Sequence, residues 1–277
     1  MVLSKKAGPI GVFDSGYGGL TILDKIRGLL PEYDYLYLGD NARAPYGPRS
    51  FDIVYKFTLQ AVQHLFDEGC SLVIIACNTA SAKALRTIQQ NDLPGIDPSR
   101  RVLGVIRPTA ECIGDITRSR HVGIFATEGT IKSGSYSMEI SKLSPDITVV
   151  GEACPMWVPL VEYGEYASEG ADYFVHKRVS KLMSRDNDID VIILACTHYP
   201  LLLDKIRKYV PRNVRIISQG EYVAKSLRSY LQRHPEIEER CTRSGICRYQ
   251  TTENTEKFKR SAKVFLRSDI EVEKVEL

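Results

Sequence analysis

Short apolar runs alternate with amphipathic stretches along the first hundred residues of the chain. The runs IGVFD, YLYLG and LVIIA are rich in β-branched and aromatic residues, as buried strands usually are. Each run is followed by a segment with apolar residues at helical spacing, such as TILDKIRGLL after the first run. Alternating strands and helices are typical of an α/β fold with a mostly parallel sheet.

The same pattern restarts after residue 100. Further strands are predicted within RVLGVIRPTAE, HVGIFATEGT, ITVVGEACP and DVIILACTHYP, with helical patterns near 133–143 and 170–183. VRIISQGEYVAKSLRSYLQRH and YQTTENTEKFKRSAKVFLR each predict one more strand and helix. The repeat predicts two pseudo-symmetric, doubly wound α/β domains with mostly parallel sheets and a functional cleft between them. The first domain is predicted at residues 1–100 with 214–277, and the second at residues 101–213.

Two of the predicted core strands end in Ala-Cys, in VIIACNTASA and VIILACTHYP. Ligands of open α/β sheets bind beyond the carboxyl ends of the strands, where Cys77 and Cys196 lie. Each cysteine also precedes a helix start, whose amides and dipole favour a thiolate. A free cysteine is by default a small core hydrophobe, and this interpretation is kept for Cys70, Cys112 and Cys154. The matched placement of Cys77 and Cys196 instead predicts one thiol from each domain in a shared cleft.

Two glycine-containing loops also follow predicted strands. FDSGYGG carries Asp14 and Ser15, and its glycine spacing matches neither the dinucleotide-binding nor the Walker pattern. It is either a ligand-contacting loop or a tight turn from strand to helix. GDNARAPYG carries Asp40 and Tyr46 at the same predicted edge of the sheet, where loops often carry function.

Two ionisable residues accompany the second cysteine. His198 stands two residues beyond Cys196, and its side chain can hold a proton in the physiological pH range. Glu162 follows the proline-stiffened ACPMWVPL, where it is either a cleft carboxylate or a solvated residue near a helix start.

Composition and charge restrict the possible functions. The 277 residues include 37 basic and 34 acidic side chains, and the basic residues form no long stripe, so no nucleic-acid partner is expected. No run approaches a membrane span, and MVLSKKAGPIGVFDSG lacks the apolar core of a leader, so we expect a cytoplasmic protein without a membrane partner. Its seven cysteines should then be reduced. Cys241 and Cys247 lack the further ligands of a zinc site, and no metal is predicted.

Two facing thiols suit one reaction better than others. Thiol/disulfide exchange needs sulfurs within bonding reach, and a covalent hydrolase needs one nucleophile with a base and an oxyanion hole. Two thiols on opposite sides of a small substrate can instead remove a proton from carbon and return one to the opposite face. This reaction inverts a stereocentre. No lysine stands at a strand end with a convincing phosphate loop for pyridoxal phosphate, so no cofactor is predicted.

Six motifs resemble, in order and spacing, those of bacterial glutamate racemases, cofactor-independent enzymes of the aspartate/glutamate racemase superfamily. They are FDSGYGG, YLGDNARAPYG, ACNTAS, TEGTIKSGSY, CPMWVPLVEYG and LACTHYPLL, and the resemblance spans nearly the whole chain. It implies interconversion of L- and D-glutamate, supply of D-glutamate for peptidoglycan, and a homodimer. An aspartate racemase or related isomerase, and a binding protein that senses an amino acid, are the alternatives.

The resemblance also implies residue roles. Cys77 and Cys196 would be the acid/base catalysts, assisted by Asp14, Glu162 and His198. The implied substrate-binding positions are Asp14, Ser15, Pro45, Tyr46, Gly47, Asn78, Thr79, Thr127, Thr130, Thr197 and His198. Arg107 and Thr109 in GVIRPTAE depart from the usual pattern of these enzymes, which bears on sensitivity to effectors and not on the chemistry.

Overall fold

A computed structural model describes residues 7–266 and 268–277. The first residues of the segment inspected for a leader, 1–6, lie outside this described part. The strands are β1 Ile10–Asp14, β2 Tyr35–Gly39, β3 Leu72–Ile75, β4 Arg101–Gly104, β5 His121–Ala126, β6 Thr148–Ala153, β7 Val191–Ala195, β8 Arg215–Ser218, β9 Cys247–Thr251 and β10 Glu273–Lys274.

The α-helices connect these strands and cover the faces of the sheets. They are α1 Leu20–Leu29, α2 Phe51–Asp67, α3 Asn78–Lys83, α4 Leu85–Thr87, α5 Leu93–Ile96, α6 Ile106–Ile116, α7 Glu128–Ser133, α8 Ser135–Leu143, α9 Trp157–Glu162, α10 Glu169–Met183, α11 Leu203–Tyr209, α12 Gly220–Arg233, α13 Pro235–Glu238 and α14 Thr255–Leu266. Short 3-10 turns occupy Asn41–Arg43, Glu165–Ala167 and Tyr199–Leu202, and a π-helical stretch occupies Ile88–Asp92. Among the described residues, no helix has both the length and the apolar character needed to cross a bilayer.

The strands form two sheets, and every strand pair described within them is parallel. The first sheet has the order β10-β9-β2-β1-β3-β4 and the second β6-β5-β7-β8, within the described residues. The order β2-β1-β3-β4 corresponds strand by strand to β6-β5-β7-β8. The predicted fold class is therefore confirmed, and the strands that precede the two cysteines, β3 and β7, occupy equivalent places.

The predicted domain boundaries do not coincide with the change of sheet. β4 pairs with β3 in the first sheet, although it was predicted to open the second domain. β8 pairs with β7 in the second sheet, although it was predicted to lie in the first domain. The chain therefore passes from one sheet to the other after β4 and again after β8. Each passage comes one strand later than the apolar repeat indicated.

The strand predicted within RVLGVIRPTAE ends earlier than its apolar pattern suggested. Only β4 is extended, and α6 begins at Ile106. Pro108 is the third residue of this helix. Proline is tolerated in a first helical turn because the N–H that it lacks would have no partner within the helix there.

Candidate active site

One cavity of about 160 Å³ lies where β3 and β7 end, and residues from both halves line it. This volume is below the roughly 300–1,000 Å³ of pockets that hold drug-sized molecules, so the cavity suits a small ligand. The sequence-predicted residues that line it are Ser15, Pro45, Tyr46, Gly47, Cys77, Asn78, Thr79, Thr127, Glu162, Cys196, Thr197 and His198. Cys77 and Cys196 are equally buried, because each is 6% exposed. Any chemical difference between the two thiols therefore comes from the groups beside them.

Cys77 has polar neighbours and no cation among its described contacts. It is the N-cap of α3, and its sulfur accepts a hydrogen bond from the Ala80 amide at 3.5 Å. Ser15 Oγ lies 3.3 Å from the same sulfur. Burial and, to a smaller extent, the charge of Asp14 raise the pKa of the Cys77 thiol, the contacts with Ser15 and Ala80 oppose the shift, and the pKa that results is about 12. Cys77 therefore holds its proton at neutral pH and is suited to act as an acid.

Cys196 lies beside a histidine. His198 Nδ1 is 4.0 Å from its sulfur, and His198 Nε2 is 3.1 Å from Glu162 Oε1. Burial lowers the pKa of His198, but the contacts with Cys196 and Glu162 raise it more, to about 10. The imidazole is therefore charged at neutral pH. A cation beside a cysteine stabilises its thiolate, so Cys196 is suited to act as a base.

Residues 20–227 match the sequence profile of the family described as Asp/Glu/Hydantoin racemase. The chain belongs to this family. The resemblance predicted from the six motifs is confirmed.

Members of this racemase family are similar to the chain over almost its whole length. A glutamate racemase from Roseobacter denitrificans is 41% identical over 272 residues, which cover 95% of this chain and 98% of the relative. The crystal structure of a glutamate racemase isoform from Bacillus anthracis superposes with a TM-score of 0.89 at 35% identity and covers 98% of each chain. The structure of the Francisella tularensis glutamate racemase in complex with D-glutamate superposes with a TM-score of 0.86 at 33% identity and covers 99% of this chain and 98% of its own.

Two predicted site residues lie behind the lining of the racemase cavity. Asp14 is fully buried at the end of β1, where its carboxylate accepts hydrogen bonds from the Gly16 amide at 2.9 Å and from Thr197 Oγ1 at 3.4 Å. Thr130 Oγ1 lies 3.1 Å from Thr127 Oγ1, which itself lines the cavity. Both side chains contact residues that line the cavity and are not themselves part of the lining, and their contact with substrate stays a prediction.

Sequence reasoning missed one wall of the cavity. Cys154, Pro155, Val158 and Pro159 line it, although Cys154 was predicted to be a core residue. Cys154 is indeed buried, and its sulfur donates to the Glu152 carbonyl at 3.6 Å. Its position along the chain could have indicated that Cys154 lies at the cavity. It comes just after the end of β6, as Cys77 and Cys196 come just after the ends of β3 and β7.

Tyr46 is held in place by a buried carboxylate that was not among the predicted site residues. Its hydroxyl donates a short hydrogen bond to Asp40, which is fully buried. Asp40 also accepts from Arg43 Nε at 2.7 Å and from Thr252 Oγ1 at 2.9 Å. The C-terminal segment thus supports a side chain that lines the cavity.

Proposed function

We propose that the chain is a glutamate racemase that interconverts L- and D-glutamate at Cα without a cofactor. The observation that carries the proposal is the approach of Cys77 and Cys196 to one small cavity from equivalent strands of two sheets. Pseudo-symmetric halves offer a proton acceptor and a proton donor to opposite faces of one carbon. The similarity to glutamate racemases over 95% or more of the chain supports glutamate as the substrate.

The proposed reaction transfers two protons. When L-glutamate is bound, the Cys196 thiolate removes the Cα proton, and the electron pair of the broken C–H bond remains on the substrate beside its carboxylate. The Cys77 thiol then gives its proton to the opposite face of Cα and becomes a thiolate. D-glutamate reacts by the reverse sequence, in which Cys77 is the base. Amides at the start of α3 and the side chains of Asn78, Thr79 and Thr197 would stabilise the developing charge.

Circular dichroism of each glutamate enantiomer with purified protein and no added cofactor tests this activity. We expect the signal to decay to zero from both sides, because the mirror-image substrates have equal free energy. Aspartate assayed beside glutamate should react much more slowly. A requirement for pyridoxal phosphate would contradict the mechanism, and binding without decay would indicate an amino-acid sensor.

The unequal surroundings of the two sulfurs predict different pH dependences for a reaction that needs one abstraction only. On 3-chloroglutamate, loss of the Cα proton and of chloride gives an enamine that hydrolyses to 2-oxoglutarate, which can be assayed. With the D-enantiomer the base is Cys77, whose pKa of about 12 makes the thiolate fraction rise about tenfold per pH unit below that value. With the L-enantiomer the base is Cys196, whose thiolate the His198 cation stabilises, so the rate should fall as His198 loses its proton near pH 10. Parallel profiles for the two enantiomers would contradict the assignment.

The cellular setting is also proposed. The enzyme would act in the cytoplasm as a homodimer and supply D-glutamate for peptidoglycan synthesis, as the resemblance implies. Light scattering during size-exclusion chromatography should give twice the 31.1 kDa chain mass. A monomer mass at micromolar concentration would contradict the dimer. Depletion of the protein in its host should be rescued by external D-glutamate, and failure of rescue would contradict the cellular role.

A further inference from the structure

Asn78, which lines the cavity next to Cys77, belongs to a closed ring of three side-chain hydrogen bonds. Asn78 Nδ2 donates to Gln219 Oε1 at 2.6 Å, and Gln219 Nε2 donates to Tyr136 Oη at 2.5 Å. Tyr136 Oη completes the ring by donating to Asn78 Oδ1 at 2.7 Å. All three side chains are at most 3% exposed, so water does not compete for these bonds.

The main chain fixes the direction of this ring. Gln219 Nε2 lies 3.2 Å from the carbonyl oxygen of Val105, and a carbonyl oxygen can only accept a hydrogen bond. Gln219 must therefore turn its amide nitrogen toward Val105 and its oxygen toward Asn78. Asn78 must then present Nδ2 to Gln219 and Oδ1 to Tyr136. Reversing the Asn78 amide would reverse the ring and place two carbonyl oxygens against each other at Val105.

The ring leaves one N–H of Asn78 available. The second hydrogen of Nδ2 has no partner among the described residues, and Asn78 is 2% exposed at the cavity. An amide N–H is a hydrogen-bond donor suited to a carboxylate, whereas the amide oxygen would repel one. The orientation of this single carboxamide therefore decides whether the wall beside Cys77 attracts or repels an amino acid's carboxylate.

We propose that Tyr136 and Gln219 are positioning residues of the racemase, which hold the Asn78 carboxamide with its free N–H available to the substrate carboxylate. This inference rests on the proposed glutamate racemase function. Asn78 begins α3, Tyr136 lies on α8 and Gln219 immediately precedes α12. The residues are 58 and 141 positions away from Asn78 along the chain. Both act on the substrate through Asn78 and neither lines the cavity.

Tyr136→Phe is the test, because it removes the hydroxyl that takes part in the hydrogen-bonded ring and leaves the aromatic side chain in place. Racemisation of both glutamate enantiomers should lose about tenfold in kcat/KM, equally in the two directions because the equilibrium constant is one. Thr109→Val is the matched control. Thr109 Oγ1 accepts from Gln219 Nε2 at 3.0 Å but lies outside the ring, and Val105 remains as an acceptor, so kcat/KM should stay within about twofold of wild type.

A double-mutant cycle separates positioning from general damage to the core. In an Asn78→Ala background, Tyr136→Phe should change neither kcat/KM nor the Kd of D-glutamate, measured by calorimetry, by more than about twofold. The binding measurement keeps the cycle usable where Asn78→Ala lowers turnover below detection. Gln219→Leu breaks the same ring from another element and should behave like Tyr136→Phe if the latter does not fold.

The outcomes are distinct. Additive losses in the cycle, an unchanged Tyr136→Phe enzyme, or an equal loss in Thr109→Val would each overturn the inference. Wild-type protein that does not racemise glutamate would instead overturn the proposed function from which the inference starts. Thermal unfolding of every variant shows whether the measured protein is folded.

Discussion

Replacing either Cys77 or Cys196 by serine should reduce racemisation by at least about 10³-fold, in line with the roughly 10²–10⁴-fold that positioned acids and bases contribute. A serine hydroxyl is nearly isosteric with the thiol but is a far poorer base near neutral pH. Both protons of the proposed reaction pass through these two sulfurs, so neither variant can complete a turnover. Cys112→Ser is the control, because this half-buried cysteine lies outside the cavity lining and its sulfur donates to a carbonyl that a hydroxyl also satisfies.

The two cysteine variants should differ in what they retain. Elimination from 3-chloroglutamate needs one abstraction, so Cys77→Ser should keep elimination from the L-enantiomer and Cys196→Ser from the D-enantiomer. In deuterium oxide, the wild-type product formed from either enantiomer should carry deuterium at Cα before equilibrium, because its new proton comes from the opposite thiol. If both variants lost elimination from the same enantiomer, a single cysteine would serve both directions and the two-thiol mechanism would be wrong.

A methyl group on Gly18 should lower racemisation by about 100-fold or more. A Cβ at this position would lie 2.3 Å from Thr197 Oγ1 and 2.5 Å from His198 Nδ1, the nitrogen that faces Cys196. Gly18 belongs to the loop after β1 and the two crowded side chains follow β7, so relief requires the imidazole to move or the two halves to separate. Either change removes the cation from the neighbourhood of the Cys196 sulfur.

The matched control for Gly18→Ala is Gly28→Ala. Gly28 lies in α1 with no atom within 4 Å of an added Cβ, so alanine should leave activity unchanged and stabilise the protein by about 0.5–1 kcal/mol. Circular dichroism of glutamate and thermal unfolding measure the two effects. Retention of more than half of wild-type activity by Gly18→Ala would show that the loop adapts to the methyl group without disturbing His198.

The parts of the fold that depend on local apolar patterns could be predicted from the sequence. Runs such as LVII and VIILA identify buried strands, and the cysteine within two residues of each strand end fixes the edge of the sheet at which the thiols emerge. β10 carries no comparable signal, because its two residues, Glu273 and Lys274, are exposed and charged. The sheet that β4 and β8 each join could not be predicted either, because an apolar run does not specify which strand will lie beside it.

The candidate site was predictable where residues directly follow a strand, and not where distant side chains meet. Cys77, Cys196 and His198 follow from position along the chain. The electrostatic difference between the thiols depends on Glu162 reaching His198 from 36 residues away. The ring around Asn78 joins residues that no local pattern relates, because they come from α3, α8 and the residue before α12 and meet only in the folded chain. Tertiary contacts of this kind produce no periodic pattern in the sequence from which they could be predicted.

The position of β9 has a consequence for biosynthesis. β9 lies between β2 and β10, so β2 acquires its outer neighbour only after residues 247–251 have left the ribosome. The second sheet needs nothing beyond β8, which ends at Ser218. The half that begins the nascent chain is therefore completed last, against the usual order in which the N-terminal unit of a protein folds first. Until then the backbone groups along the outer edge of β2 are open to pairing with other chains, which makes this edge the vulnerable surface of the unfinished protein.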